Sequence, residues 1–106
     1  MSVENAIAVL LPHGKAQMSV IARKLGMSRR TLARRLASEG LTFAGVLHAL
    51  RHDLAKRHLA DRDLSISNVA WLLGYSDVSA FSSAFKRRTG MSPGMIRRQH
   101  AKSAKQ

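Results

Sequence analysis

Four arginines stand in one short stretch, GMSRRTLARRL at residues 26–36, around two leucines. On a helix turning about 100° per residue, Leu32 and Leu36 lie about 40° apart and define a buried direction. Arg30 and Arg34 then fall about 160° and about 200° from Leu32, opposite that direction, with Ala33 and Ala37 filling the same outer face. Arg29 and Arg35 flank the apolar stripe on either side. Guanidinium groups placed this way have two uses. An outward pair near a helix N-terminus matches guanine O6 and N7 in bidentate fashion, and the Ala33 methyl suits a thymine methyl. A sideways pair matches the phosphates that wall a groove. A merely solvated face accounts for exposure but not for the missing carboxylates, because Glu39 is the only one between residues 5 and 52.

Other chemistries find little support. His48 and His52 stand four apart, a spacing able to hold a metal, yet no third ligand is fixed nearby, so a solvated helix face is the better account and no metal is expected. The six carboxylates are scattered, no histidine stands in a nucleophile arrangement, and no glycine-rich phosphate loop is present. Neither catalytic residues nor a cofactor are expected. With no cysteine, disulfides, thiol catalysis and cysteine-ligated zinc are excluded. Eighteen Lys and Arg against six Asp and Glu give a net charge of +12, which points to a polyanionic partner, nucleic acid ahead of an anionic membrane. No apolar run approaches the ~18 residues of a membrane span, and the N-terminal stretch lacks a basic region before its short apolar segment. A cytoplasmic protein is the expectation.

The elements that position these arginines are helical throughout, since apolar residues recur at three and four and seldom alternate. Val3, Ile7, Leu10 and Leu11 form a first helix that Pro12 and Gly14 stop. Val20, Ile21 and Leu25 form a second, closed by Gly26, and Ser28 caps a third that ends at Gly40. Thr42 opens the longest helix, whose stripe is Phe43, Val46, Leu47, Leu50, Leu54 and Leu59. Ile66 to Leu73 make a fifth helix before Gly74, and Phe81 and Phe85 mark a sixth before Gly90. Ser92 and Pro93 begin a seventh. The segment AKSAKQ at 101–106 is expected to be a basic disordered tail.

An internal repeat organises this series. ARKLGMS at 22–28 matches AWLLGYS at 70–76 at an offset of 48, while Leu32 and Leu36 match Phe81 and Phe85 at 49. The second copy thus carries one extra residue after its turn. Each copy is a helix, a glycine turn and a second helix, with a small alanine (Ala22, Ala70) allowing close approach. Two such units on a strongly basic chain point to duplex DNA. On the second wheel Ser79 and Ser83 replace Arg30 and Arg34, Ser82 replaces Ala33, and Lys86 replaces Ala37. Serine discriminates bases poorly, so the first unit is expected to dominate base readout and the second to supply position and charge. Trp71, Tyr75, Phe81 and Phe85 read as core or turn residues rather than a platform for single strands.

The residues SISNVAWLLGYSDVSAFSSAFKRRTGMSPGMIRR, with IARKLGMSRRTLARRL before them, resemble the DNA-binding domain of the AraC/XylS family of bacterial transcription regulators. The resemblance covers about residues 3–98. It implies an all-α fold of about seven helices, with a first helix-turn-helix subdomain (1–41), a linker helix (42–62) and a second subdomain (63–100). It also implies double-stranded promoter DNA as partner. Base contacts are expected from Arg30, Ala33, Arg34, Val78, Ser79, Ser82 and Ser83, of which Val78 lies at the edge of the wheel. Phosphate contacts are expected from Ser28, Arg29, Arg35, Ser76, Lys86 and Arg87. RNA polymerase enters as a partner through the resemblance alone. Family members often carry arginine at the position of Ser83, a departure that weakens base reading by the second unit. Most also carry an effector-binding or dimerising domain before this one, and the absence of an N-terminal linker favours a domain cut from such a chain. The rival reading is a basic amphipathic scaffold for anionic membrane or a protein partner, built on residues 42–61. Asp53 and Asp61 interrupt that helix, and the basic residues are spread elsewhere.

Overall fold

A computed structural model describes residues 2–104. Seven α-helices are present among them: α1 (Val3–Leu10), α2 (Met18–Lys24), α3 (Arg29–Ser38), α4 (Phe43–Ala60), α5 (Ile66–Leu72), α6 (Val78–Thr89) and α7 (Pro93–Ala104). A 3-10 turn, Leu11–His13, follows α1 and ends at Gly14. Side-chain oxygens start most of the helices by accepting from a backbone N–H three residues on. Ser28, Thr42 and Ser92 do so as their sequence positions suggest, joined by Ser2, Ser65 and Asp77. The expectation for 101–106 is corrected in part. Helical backbone runs on to Ala104, because Pro93 starts a helix that nothing interrupts, while residues 105 and 106 lie outside the described part.

The repeat is visible in the backbone hydrogen bonds. Met27 N–H donates to the Ala22 carbonyl and Gly26 N–H to that of Arg23, at 2.9 and 3.0 Å. Tyr75 N–H donates to Ala70 and Gly74 N–H to Trp71, both at 3.0 Å. Both pairs close the same helix-ending motif, which needs a left-handed residue at its centre. Gly26 and Gly74 provide it with φ of 72° and 84°. The extra residue of the second copy is spent before the next helix, so Ser28 caps α3 whereas Asp77, not Ser76, caps α6.

Two apolar cores result. Ile7, Leu11, Ile21, Leu32, Leu36 and Val46 are buried in the first; Ala55, Leu59, Val69, Leu73, Phe81 and Phe85 are buried in the second. α4 serves both, with Val46 in one and Leu59 in the other, and Leu54 packs against each. Its apolar residues are therefore shared between two faces rather than lying in the single stripe expected. Trp71 is a second correction. It is 57% exposed, because it occupies the outward position that Arg23 holds in the first copy, while Val69, Ala70 and Leu73 fill the core.

Three contacts fix the turns and helices around α4. A side chain at Gly74 would place its Cβ 2.6 Å from the Leu11 carbonyl oxygen, so the 3-10 turn of the first half presses on the turn of the second. Arg51 Nε donates to the Leu73 carbonyl at 3.1 Å, and its guanidinium lies 5.0 Å from the Tyr75 ring centroid. Arg97 donates from Nε to Leu59 O at 3.1 Å and from Nη2 to Asp61 O at 3.2 Å. That places a cation on the last carbonyls of α4, where the helix dipole favours it.

Candidate nucleic-acid interface

α3 forms because Ser28 caps it and Leu32 and Leu36 bury its inner face. The Ser28 hydroxyl is engaged on both sides. Its Oγ accepts from the Thr31 N–H at 3.1 Å and donates to Thr31 Oγ1 at 3.1 Å. Arg29, Arg30, Ala33, Arg34 and Arg35 are all exposed. With Leu32 and Leu36 pinned beneath, the rotation of the helix is set, and Arg30, Ala33 and Arg34 share the outer face. No carboxylate stands in the first turn of α3. Its free N–H groups and the adjacent guanidinium groups favour an anion together.

α6 is built the same way on Phe81 and Phe85, with its outer face less charged. Val78, Ser79 and Ser83 are exposed, and Ser82 is half-buried. Lys86 and Arg87 are exposed in the last turns, beside Arg88, and Ser76 is exposed in the preceding turn. One residue here escapes the wheel. Asp77 Oδ1 accepts from the Ala80 N–H at 2.7 Å, which puts a carboxylate at the N-terminus of the second outward helix. The first unit has a neutral serine at the corresponding place. The signal is present in the sequence as the extra residue of the second copy, which moves the cap from Ser76 to its acidic neighbour.

α4 joins the two units that carry these faces. Its eighteen residues span about 27 Å at about 1.5 Å per residue, within a body whose longest extent is 47 Å. The elongated body thus carries a basic outer face on α3 and, on α6, a largely neutral face with Lys86, Arg87 and Arg88 in its last turn.

The helix-turn-helix domain family matches residues 21–99. The chain is 37% identical over 100 residues to the transcriptional activator NphR of Rhodococcus, covering 94% of this chain and 30% of that one. It is 43% identical over 88 residues to the regulator VirS of Mycobacterium tuberculosis, covering 83% and 26%. Among solved structures, the DNA-binding domain of AdpA in complex with a target DNA has a TM-score of 0.77 and 29% identity, over 98% and 96% of the two chains. The chain belongs to the AraC-type helix-turn-helix family. The family is one of DNA-binding helix-turn-helix transcription regulators. The chain spans less than a third of the length of those two curated relatives. A second solved relative, the regulator CdpR of Pseudomonas aeruginosa, is 38% identical with a TM-score of 0.71, over 92% of this chain and 32% of that one. Among the described residues, no helix is long and apolar enough to cross a membrane.

Proposed function

We propose that this domain reads promoter DNA with α3 and α6 in successive major grooves, and that α3 supplies most of the base discrimination. The observation that carries the reading is the outer face of α3, where Arg30, Ala33 and Arg34 are exposed over a buried Leu32 and Leu36. Arg30 and Arg34 act as bidentate partners of guanine and Ala33 meets a thymine methyl. Val78, Ser79, Ser82 and Ser83 contact bases with weaker preference. Ser28, Arg29, Arg35, Ser76, Lys86 and Arg87 meet phosphates, Ser28 through the backbone beside its engaged hydroxyl. The functional division follows residues 1–41 and 63–100 as reading units on a spacer at 42–62. The spacer's length suits the roughly 34 Å between major grooves on one side of a duplex.

The domain works in the cytoplasm, within a longer regulator that supplies an effector-binding domain and engages RNA polymerase. Selection of bound sites from random duplexes tests the reading. The expected outcome is two elements one helical turn apart, with sharper preference in the one that α3 reads. Arg30→Ala and Arg34→Ala each cost about 1–3 kcal/mol and relax one base position, whereas Arg29→Ala weakens all sequences alike and flattens the salt dependence. Sharper preference in the half read by α6 would refute the asymmetry.

A further inference from the structure

Behind α6, a cavity of ≈ 220 Å³ opens between α4, the α5–α6 turn and α6, its rim reaching Arg87 of the proposed phosphate contacts. Its floor is apolar and aromatic, made by Ala55, Leu73, Tyr75, Phe81 and Phe85. Its rim carries His48, Arg51, His52, Arg87 and Arg88, and no carboxylate lines it. Ala84 closes one side from a half-buried position on α6. We propose that this cavity binds a small organic anion with an apolar body, of the size of an aryl carboxylate.

Three features argue for that class. The volume lies below the roughly 300–1,000 Å³ of pockets for drug-sized ligands, which suits a single ring. Arg51 is held in place before any ligand arrives, because Nε is bonded to the Leu73 carbonyl and the guanidinium rests over Tyr75. Its other N–H groups remain for a carboxylate, and a fixed fork loses little freedom on binding. The floor gives an apolar body somewhere to go. A free phosphate, or a phosphate of the DNA backbone, matches the rim alone and gains nothing from Phe81 and Phe85.

The cavity also carries its own reporter. His52 lies on the rim, its ring centroid 6.3 Å from that of Phe85. Its pKa is held below 6.5 by burial first, then by Arg88 and Lys56, with Asp53 opposing. A carboxylate among those cations reverses the balance and raises it. The test follows the His52 ring by NMR across pH with benzoate added, against benzyl alcohol and inorganic phosphate. The expected result is a saturable shift and an upward move of the His52 pKa with benzoate only. Ala84→Leu, which fills the cavity from the α6 wall, weakens benzoate binding roughly tenfold or more while duplex binding and helical circular dichroism persist. Arg88→Gln weakens benzoate binding as well, and should Ala84→Leu not fold it carries the test on benzoate binding and circular dichroism alone, since removing a cation from α6 also weakens duplex binding. A response that never saturates, an equal response to inorganic phosphate, or undiminished binding in the variants would overturn the proposal.

Discussion

Asp77 puts a negative charge at the start of α6, the helix proposed to enter the second groove. Its carboxylate caps the helix through the Ala80 N–H but faces a phosphate-rich partner. Asp77→Asn keeps a capping oxygen and removes the charge. Binding to duplexes of any sequence should therefore tighten by about 0.3–1 kcal/mol at low salt, with the gain fading as salt rises. Fluorescence anisotropy with specific and scrambled duplexes checks it. Weaker binding confined to one sequence would make Asp77 a base reader instead. His52 gives a prediction of another kind. Burial and its cationic neighbours hold its pKa below 6.5 in the folded chain, so below that pH the unfolded chain takes up the proton more readily. The stability tied to neutral His52 is complete above the unfolded value and drains as pH falls through the folded one. His52→Gln should lose less stability than the unaltered chain between about pH 7.5 and about pH 5, measured by urea midpoints.

At the scale of elements, the two turn glycines are alike in φ and unlike in surroundings. A Cβ at Gly26 meets nothing within 4 Å, whereas one at Gly74 meets the Leu11 carbonyl at 2.6 Å. Gly26→Ala should cost about 1–2 kcal/mol from its left-handed backbone alone. Gly74→Ala should cost clearly more, since the first half must also back away, and denaturant unfolding of the two variants side by side measures the difference. Much of this architecture is legible in the sequence because it is local. Ser28, Thr42 and Ser92 stand beside periodic runs, and glycine marks where most of the shorter runs stop, though α4 ends at Asp61. The outer face of α3 is legible for the same reason, since Leu32 and Leu36 fix the rotation of everything between them. What is not legible depends on distance. Arg51 and Arg97 reach carbonyls 22 and 38 residues away, and nothing marks them out among eighteen cations. Trp71 reads as core because aromatics usually are, yet it stands where the other copy has Arg23. The cavity behind α6 joins α4, a turn and α6, which share no local pattern.

At the scale of the whole molecule, the cores meet in α4 rather than at either of its ends. Val46 completes the first, Leu59 completes the second, and Leu54 touches both. No unit that ends where the connecting helix begins contains all of its own apolar interior. A fragment of residues 1–41 lacks Val46, Leu47, Leu50 and Leu54, and should give a random-coil circular dichroism spectrum where the intact chain is helical. Leu54→Ala should lower the stability of the whole chain by about 2–4 kcal/mol, with hydrogen exchange quickening in both halves rather than in one. Anyone grafting one reader onto a foreign partner would have to place the seam inside α4 and carry half of that helix along. The duplication visible in the sequence is thus no longer a pair of separable parts: neither copy can be exchanged without rebuilding its neighbour.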